Sequence, residues 1–554
     1  MPTCSRREIE AVLASLAGSK RQSRAQPPSC SPWRGLRVKN GGENEKSLKI
    51  VQPFGDIFIS LRLDNFFVVM KNLIVAREKE KAELERLLNE PTAQMLAVYG
   101  RRRTGKTFLI REYFEDNFAF KHTAVSPMEL KERGEGELIY RVQLNEFAAS
   151  LRKYGSKDER PIGDWFEAFH RLEALLDGKR KKGKLVVFID ELPWLDTPRA
   201  GFLSAFEHFC NDYVMGKHNI LLIVCGSATS WMLDNLINNK GGLYGRSTCE
   251  MHIHPFTLKD TERYLGWRGL TLDRYDVTQA YMLTGGVAYY LSYFKAGRSL
   301  AQNVDEVFFS ADGFMQKEYD RLFTSLFADN VGYKRIVEVL SGNRFGLTRE
   351  TISKKTGVAL GGTLSGMLKA LVQSDLVSTY WNFGESKRIQ YFKLTDMFCL
   401  FYLGFVQKNP TGNRTYWNDN QNSPRLNSWR GRAFEDVCFV HQHQVRRGVG
   451  IEGVQAEVYP WHATGDAASP GAQIDMLIDR ADRVMNLCEM KFTQSDYVIS
   501  KDYDEQLRRK IAALQEMTHG KRNVQVALVT TYGLKQNMYS GRVQRVVTLE
   551  ELFG

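Results

Sequence analysis

The 554-residue chain lacks the marks of a membrane protein or a secreted protein. No uninterrupted apolar run reaches the roughly 20 residues that cross a bilayer, so the sequence predicts no membrane partner. No secretory signal is recognisable, and none of the cysteines forms a CxxC pair; they stand at positions 4, 30, 210, 225, 249, 399, 438 and 488. Scattered cysteines of this kind are typical of reduced thiols in a cytosol, and we expect a cytoplasmic protein.

Positive charge is present, but it does not by itself indicate a nucleic-acid partner. The formal net charge is +12. Residues 1–50 hold ten Lys and Arg against four Asp and Glu, which accounts for half of that excess. The rest of the chain is only weakly basic, so a DNA-binding prediction needs other support.

The distribution of apolar residues divides the chain into a tail and several folded segments. Its length predicts three or four domains, because a domain has about 100–200 residues. Residues 1–69 mix Ser, Arg and Pro without a helical period, and we interpret them as a poorly structured tail that can lie upstream of the natural start. A targeting peptide is the alternative for this segment. A clearer helical pattern opens at Met70.

Apolar strands alternate with helical stretches from Met70 to about residue 300. The strand patterns are QMLAVYG, FKHTAV, KLVVFIDE, NILLIVCGS and TCEMHIHPF. Such alternation predicts an α/β fold in which helices cover both faces of a parallel sheet. Residues 331–400 instead predict three short helices followed by two strands. From about residue 425 a third pattern gives a helix over GRAFEDVCFVHQHQV and strands AQIDMLIDR, VMNLCEMKF and VQVALVTTY.

A phosphate-binding loop stands between the first of these strands and the helix after it. Its sequence is Gly100-Arg101-Arg102-Arg103-Thr104-Gly105-Lys106-Thr107. The glycines let backbone N–H groups wrap a triphosphate, and the positive end of the following helix adds to the attraction. Lys106 is placed to reach the β- and γ-phosphates, and the Thr107 hydroxyl can ligate Mg²⁺. The loop therefore predicts a site for ATP and Mg²⁺.

A second acidic motif follows the strand KLVVFIDE. Asp190 and Glu191 come at the carboxyl end of that strand, where parallel sheets bind their ligands. This is a Walker B arrangement, in which Asp190 would hold Mg²⁺ directly or through water. Glu191 would orient or deprotonate the attacking water, which predicts hydrolysis and not binding alone. Two solvated carboxylates are the alternative.

Two further residues are candidates for sensing or stabilising the transferred phosphate. Ser227 ends the strand NILLIVCGS, where a polar group can contact the γ-phosphate or the water; capping of the next helix is its alternative role. Arg246 follows a glycine-rich stretch and would supply transition-state charge in its own chain or in a neighbouring subunit of an oligomer. An ordinary surface arginine is the alternative there.

Acidic residues and a lysine on two later strands predict a second site. Asp475 lies in AQIDMLID, and Glu489 and Lys491 lie in NLCEMKF, where residues two apart share a face of the strand. Two carboxylates can hold a divalent cation, and a nearby lysine can orient or activate water for attack on phosphorus. Glu435, in the helical WRGRAFEDVC, can join as a further acidic ligand. The alternative is an α/β domain with solvated charges at its strand ends.

The residues Cys249, His252 and His254 form a third candidate group. Their side chains are of types that bind metals, but a fourth ligand is missing and the side chains of the strand CEMHIHPF alternate between two faces. We therefore predict that this group is structural.

Several of these motifs together resemble one known family. GRRRTGKT, VVFIDELPW, IVCGSATSWM, the LYGR element and the helical TGGVAYYL at 284–291 are similar to the archaeal-type ATPases of the STAND/AAA+ group, which also occur widely in bacteria. The resemblance spans roughly residues 70–400. Two departures are Ala288, where the family often has proline, and AREKE at 76–80, where a glycine often precedes the arginine. Neither departure affects the phosphate chemistry.

The resemblance also implies the order of the parts. It implies a P-loop ATPase core at 70–255, a helical lid at 256–330 and a winged helix at 331–405. A winged helix would contact DNA through its third helix, here GGTLSGMLKALVQSD. That helix carries one lysine, and phosphate contacts usually recruit several cations, so we favour a packing or regulatory role.

The last segment, from about 428, resembles the PD-(D/E)xK restriction-endonuclease-like superfamily, which commonly follows these ATPases. Its first element is Ile474-Asp475 without the proline, and we assign 425–554 to this nuclease-like domain. The resemblance implies an ATPase coupled to a DNA-directed, Mg²⁺-dependent nuclease. The alternative is an ATP-controlled regulatory switch that binds a protein partner, with a catalytically silent nuclease-like domain.

Overall fold

The computed structural model describes the chain from residue 74 to residue 554 with short gaps. The gaps are residues 127–128, 130–138, 180–182, 239–246, 328–329, 410–411 and 464–471. Before residue 74 the backbone of three strands is described, β1 (Arg37–Asn40), β2 (Lys46–Gln52) and β3 (Gly55–Leu61), which pair as antiparallel neighbours in that order. Because the remainder of that segment lies outside the described residues, the poorly structured tail expected at residues 1–69 stays a prediction.

Five parallel strands form the central sheet, in the order β5–β6–β7–β4–β8. Their bounds are β4 Gln94–Tyr99, β5 Phe120–Thr123, β6 Leu185–Asp190, β7 Ile220–Cys225 and β8 Cys249–His252. Every residue of β6 and β7 is buried, as expected for strands covered on both faces. All five strands predicted from the sequence are confirmed, and so is the parallel α/β arrangement.

Helices pack on both faces of this sheet because alternate strand residues point to opposite sides. One apolar cluster joins residues such as Leu96 and Val98 of β4 to the first two helices, and a second joins Met95 and Ala97 to the next three. The five helices are α1 Glu78–Asn89, α2 Lys106–Tyr113, α3 Ile139–Lys153, α4 Trp165–Asp177 and α5 Phe202–His208. The helical pattern expected from Met70 is wrong over residues 74–77, where Arg77 has a left-handed backbone and immediately precedes α1; residues 70–73 lie outside the described residues.

A group of short helices comes after β7, and the first of them precedes β8. They are α6 Thr229–Trp231, α7 Leu258–Trp267, α8 Arg274–Thr284, α9 Ala288–Leu291, α10 Leu300–Val304 and α11 Glu318–Leu326. The continuous helical stretch expected over 284–291 is interrupted, since Gly285 and Gly286 both have a left-handed backbone. A Cβ at Gly286 would lie 2.2 Å from the carbonyl oxygen of Phe256, so this close approach requires glycine.

Three helices and a small antiparallel sheet form the next segment. They are α12 Val331–Ser341, β9 Leu347–Thr348, α13 Arg349–Thr356, α14 Gly362–Gln373, β10 Val377–Tyr380 and β11 Tyr391–Leu394. The three helices and the two strands after them come in the predicted order, and the two-residue strand β9 between the first two helices was not predicted. The strands pair in the order β10–β11–β9. Two short helices follow, α15 Met397–Phe401 and α16 Tyr416–Asn420. The identification of residues 331–405 as a winged helix stays a prediction.

The C-terminal segment contains a second five-stranded sheet, in the order β12–β13–β14–β15–β16. Its elements are α17 Pro424–Val440, α18 Gln442–Val449, β12 Ala456–Ala463, β13 Ala472–Arg480, β14 Val484–Lys491, α19 Lys501–Met517, β15 Asn523–Thr530, β16 Val543–Val547 and α20 Leu549–Leu552. Strands β12 to β14 are antiparallel, and β14 to β16 are parallel. The predicted helix over GRAFEDVCFVHQHQV is divided at His441, and β12 and β16 were not predicted.

One buried apolar cluster runs through most of the chain after the central sheet. It connects α7 to α11, the segment from α12 to α15, helix α17 and one face of β13 to β15. Residues 74–554 form one compact unit. Among the described residues, no helix combines the length and the apolar character that crossing a bilayer would require.

Candidate nucleotide site and acidic cleft

The phosphate-binding loop joins the end of β4 to the start of α2, as the sequence predicts. Gly100 has a positive φ of 129°, and a Cβ there would lie 2.6 Å from the carbonyl oxygen of Ile253. Lys106 is buried with its Nζ donating to the carbonyl oxygens of Gly100 and Arg101, both at 2.9 Å. Burial lowers the pKa of Lys106, so an anion in the loop would favour its charged form.

The predicted magnesium ligands lie side by side. The Thr107 hydroxyl is 3.0 and 3.1 Å from the two carboxylate oxygens of Asp190. Burial, followed by the neighbouring Glu191 charge, raises the pKa of Asp190 to about 6. Adjacent ligands of an octahedral Mg²⁺ ion stand about 2.9 Å apart, since its bonds are 2.0–2.1 Å long. The two side chains therefore fit two neighbouring positions around Mg²⁺.

Glu191 and Ser227 meet across two neighbouring strands. Strand β7 lies between β4 and β6, so Ser227 comes past its end between the loop and the acidic motif. The Glu191 carboxylate accepts hydrogen bonds from the Ser227 backbone N–H at 2.9 Å and from its hydroxyl at 2.8 Å. The Ser227 side chain does not cap the following helix, which weakens the alternative role. Ser227 therefore orients the carboxylate expected to act on water.

The three loop arginines, which were all predicted to contact nucleotide, have different surroundings. Arg101 is buried and pairs with Asp396 at 2.6 Å, and Arg103 pairs with Glu318 at 2.9 Å. The Arg103 guanidinium also lies over the Tyr289 ring, 4.5 Å from its centroid. These two side chains are thus engaged by carboxylates from later segments, and they can contribute to a phosphate site through their backbone N–H groups.

Arg102 differs from its two neighbours. Burial lowers its pKa, and the charge of Glu191 partly offsets that effect. Among the described residues no carboxylate forms an ion pair with it, and its Nη1 is buried without a hydrogen-bond partner. Arg101 and Arg103 also have such nitrogens, but each of them is paired with a carboxylate. A buried guanidinium nitrogen without a partner fits an anionic ligand, so Arg102 is the loop arginine best suited to contact phosphate.

Thr104 of the loop and the predicted catalytic residue Arg246 remain to be placed. The Thr104 hydroxyl donates to the carbonyl oxygen of Arg101 at 2.9 Å, so this side chain stabilises the loop. Arg246 lies outside the described residues, and its role stays a prediction.

Comparison with known proteins agrees with a nucleotide site in the first part of the chain. Residues 74–294 match a family described as an ATPase domain predominantly from Archaea. These residues are therefore similar to an archaeal-type ATPase domain. This similarity supports nucleotide binding and ATP hydrolysis, in agreement with the loop and the acidic motif described above.

Individual relatives are more distant. An uncharacterised protein of Methanocaldococcus jannaschii is 26% identical over 378 residues, which cover 66% of this chain and 76% of that protein. An uncharacterised ATP-binding protein of the same organism is 46% identical over 44 residues, which cover 8% of this chain and 75% of that protein. The solved structure of a Walker-type ATPase of Pyrococcus abyssi is 19% identical with a TM-score of 0.40, covering 60% of this chain and 99% of that one.

A second group of charged residues lines a cleft of about 980 Å³ in the C-terminal segment. Asp475 comes from β13, Glu489 and Lys491 from β14, and Glu435 from α17. The Lys491 ammonium is 3.4 Å from Glu489 and 3.9 Å from Asp475. The backbone N–H of Met490 donates to Asp475 at 3.0 Å. The predicted residues are therefore brought together, as expected from residues two apart on one strand.

Helix α19 adds two residues to this cleft that the sequence analysis missed. The Lys510 ammonium is 2.5 Å from one oxygen of Glu489, and the Tyr503 hydroxyl donates to the other at 2.7 Å. Residues seven apart on a helix share a face, so the spacing of these two was an available signal once the helix was known to cover the sheet. Together with Lys491 they surround the buried Glu489 with donors.

Arg344 is the least expected residue in the cleft. It belongs to the turn between α12 and β9, and its guanidinium donates to Asp475 and to Gln473, both at 3.2 Å, and to Glu435. Burial and the charge of Asp475 raise the pKa of Glu435 to about 7, although Arg344 opposes this. A guanidinium thus lies where the two carboxylates approach each other. Arg344 and Asp475 are 131 residues apart along the chain, so no local pattern could indicate their contact.

Proposed function

We propose that this ATPase controls a DNA-directed, Mg²⁺-dependent nuclease-like domain formed by residues 425–554. The observation that carries the proposal is the meeting of Glu435, Asp475, Glu489 and Lys491 in one cleft. Carboxylates from a helix and two strands, with a lysine beside them, are suited to metal-assisted attack on a phosphodiester.

The roles in the ATPase domain follow from the contacts. Thr107 and Asp190 would hold Mg²⁺, which supplies positive charge to the phosphates of the substrate ATP. Lys106 and Arg102 face the same anion, and backbone N–H groups of the loop bind it. Glu191, oriented by Ser227, would position the attacking water.

The roles in the acidic cleft depend on the same chemistry. Asp475 and Glu489, with Glu435 as a further ligand, would hold Mg²⁺ against a DNA phosphate. Lys491 would orient or activate the attacking water, because its ammonium lies between the two strand carboxylates. Lys510 and Tyr503 fix the Glu489 carboxylate by donating to both of its oxygens.

Coupling between the two sites would use the segment that links them. Asp396 pairs with Arg101 of the phosphate loop just after β11, and Arg344 enters the acidic cleft from the turn before β9. In the arrangement described here Arg344 holds the carboxylates that would otherwise bind metal. ATP binding that favours a different position of the loop would shift this segment and withdraw Arg344, because a ligand selects the state it binds more tightly.

Cleavage of supercoiled plasmid with Mg²⁺, in the presence and absence of ATP, tests this proposal. The wild-type chain should nick DNA with ATP, and Arg344→Ala should nick it without ATP. Lys491→Ala should hydrolyse ATP and nick nothing. Arg349→Ala is a matched control, since it removes an exposed arginine from the same segment. Absence of cleavage by both the wild type and Arg344→Ala would contradict the nuclease proposal.

One observation favours the second candidate function, an ATP-controlled switch that binds a protein partner. The single lysine of α14, Lys369, pairs with Asp234 at 2.8 and 2.9 Å, so it is held by the ATPase domain. This supports a packing role for the proposed winged helix over a DNA-binding role. The switch is favoured if neither the wild type with ATP nor Arg344→Ala cleaves DNA, and if light scattering shows that ATP changes the oligomeric state of the wild type.

A further inference from the structure

Two histidines project side by side from the edge of the central sheet. His252 ends β8, and His254 follows two residues later, so both point to the face opposite the fully buried Ile253 between them. Their ring centroids are 3.8 Å apart. The Tyr99 ring stacks on His252 with centroids 4.8 Å apart, which fixes the orientation of that imidazole.

A carboxylate from a distant part of the chain completes the group. Asp375 occupies a tight turn between α14 and β10 with a left-handed φ of 57°. One of its oxygens is 3.1 Å from His252 Nε2. One ligand atom from each of His252, His254 and Asp375 lies within 4.8 Å of the others. Cys249 is excluded, because its thiol donates to Glu83 at 3.0 Å.

We infer that His252, His254 and Asp375 form a binding site for a divalent transition metal ion, of which Zn²⁺ fits best, with water as the fourth ligand. Two imidazole nitrogens and one carboxylate are a donor set that Zn²⁺ accepts, whereas Mg²⁺ and Ca²⁺ prefer oxygen alone. The site lies beside the phosphate loop, since a Cβ at Gly100 would be 2.9 Å from His252 Cδ2. It shares no side chain with the nucleotide site or the acidic cleft, and it does not depend on the proposed function.

The distances are close to those that a tetrahedral ion requires. Ligand atoms around Zn²⁺ stand about 3.4 Å apart, because its bonds are about 2.0–2.1 Å long. The His252 and Asp375 atoms are already at 3.1 Å. His254 is exposed, so its ring can rotate toward the other two ligands without disturbing the core.

The surrounding charges also favour a cation. Arg77 is a positive group near the histidines, and its Nη2 donates to the backbone carbonyl oxygen of His254 at 2.8 Å. Its charge is offset by Glu80, which pairs with its Nη1 at 3.1 Å. Glu250 and Asp375 add negative charge beside Tyr99. A bound ion would tie the strand next to the phosphate loop to the segment that contains α14 and β10.

Zinc binding to the full-length chain tests the inference. The protein is first treated with a chelator and desalted, and Zn²⁺ is then distributed between the protein and a chromophoric chelator. The wild type should bind one ion that His254→Ala and Asp375→Asn each lose or bind at least tenfold more weakly, since even an outer-shell partner of a metal is worth about 10–100-fold in affinity. His443→Ala, which removes an exposed histidine elsewhere, is the matched control.

A second measurement identifies the ligands without relying on activity. Co²⁺ bound in place of Zn²⁺ should give the visible absorption of a four-coordinate site in the wild type and in His443→Ala. His254→Ala and Asp375→Asn should not give this absorption. Equal zinc stoichiometry and affinity in the wild type, His254→Ala and Asp375→Asn would overturn the inference. Ions held by the cysteines would be common to all four proteins and would cancel in this comparison.

Discussion

Lys106 shows how one side chain can serve both the folded loop and its ligand. Its ammonium is buried and bonded only to carbonyl oxygens of its own loop among the contacts described. A phosphate would give this charge a stronger partner than a carbonyl oxygen does.

We predict that Lys106→Ala lowers the ATPase rate by about 100-fold or more, because a preorganised charge at the phosphates is lost. Fluorescent-nucleotide titration and phosphate release measure the effect. Arg111→Ala, an exposed arginine of the same helix paired with Asp116, should keep wild-type values. Full nucleotide affinity in Lys106→Ala would contradict the assignment of this loop.

His122 makes the stability of the sheet depend on pH. It is buried in β5, where its Nδ1 is 2.9 Å from the Ser150 hydroxyl, and burial lowers its pKa from 6.5 to about 3. The unfolded chain therefore takes up a proton first as the pH falls. The stability that neutral His122 provides is complete above pH 6.5 and is lost between that value and about 3.

We predict that the wild type loses about 1.4 kcal/mol of unfolding free energy per pH unit below 6.5 relative to His122→Gln. Urea unfolding between pH 7 and pH 5 measures the difference. His218→Gln, which replaces an exposed histidine, is the matched control. If the unfolding free energies of the wild type and His122→Gln change with pH in parallel, burial of the imidazole does not lower its pKa and the prediction is wrong.

At the scale of single elements, the pair of Arg101 and Asp396 joins the phosphate loop to the start of α15. Asp396 also caps that helix, because its carboxylate accepts a hydrogen bond from the backbone N–H of Cys399 at 2.8 Å. Asparagine can keep the cap but not the charge. The substitution therefore separates the ion pair from the capping bond.

We predict that Asp396→Asn destabilises the protein by about 3–5 kcal/mol, because it leaves the buried Arg101 charge without a partner. Denaturant unfolding measures this. Asp273→Asn is the control, because Asp273 is an exposed helix cap that accepts a hydrogen bond from the backbone N–H of Asp276 at 2.8 Å. Loss of its charge should lower the free energy of unfolding by less than about 0.5 kcal/mol. A similar small effect at Asp396 would mean that Arg101 is compensated by other groups.

The elements that the sequence predicts are those with a strong local signal. Apolar strand patterns predicted all five strands of the central sheet, and the glycine-rich and acidic motifs lie at the ends of β4 and β6, as predicted. The strands β12 and β16 were missed because they are the two edges of their sheet, where fewer residues are buried. Pro460 and a bulge between Tyr459 and Trp461 further weaken the pattern of β12.

At the scale of the whole molecule, the missed residues share one property. Glu318, Asp375, Asp396 and Arg344 each act on a site more than 100 residues away or on a different segment, and nothing near them in the sequence indicates that contact. Only the packing of the segments in one unit brings them there. Local motifs therefore predict the chemistry of each site, and the connections between sites require the fold.

We predict that nucleotide changes the environment of Arg344 through this packing. Hydrogen–deuterium exchange in the turn of residues 342–346 should increase when an ATP analogue and Mg²⁺ are added, since the proposed withdrawal of Arg344 exposes that turn. Arg101→Ala should abolish the response if the loop and Asp396 transmit it. Equal exchange with and without nucleotide in the wild type would contradict the coupling.

The two ion pairs of the phosphate loop also limit how this protein can be recombined with others. Arg101 and Arg103 lie inside the ATPase domain, but their partners Asp396 and Glu318 lie beyond its last matched residue, 294. A chimaera that joins this domain to the C-terminal part of another chain would need acids at both of those positions. Exchange of one half alone would otherwise leave two largely buried guanidinium groups of the phosphate loop without their carboxylates.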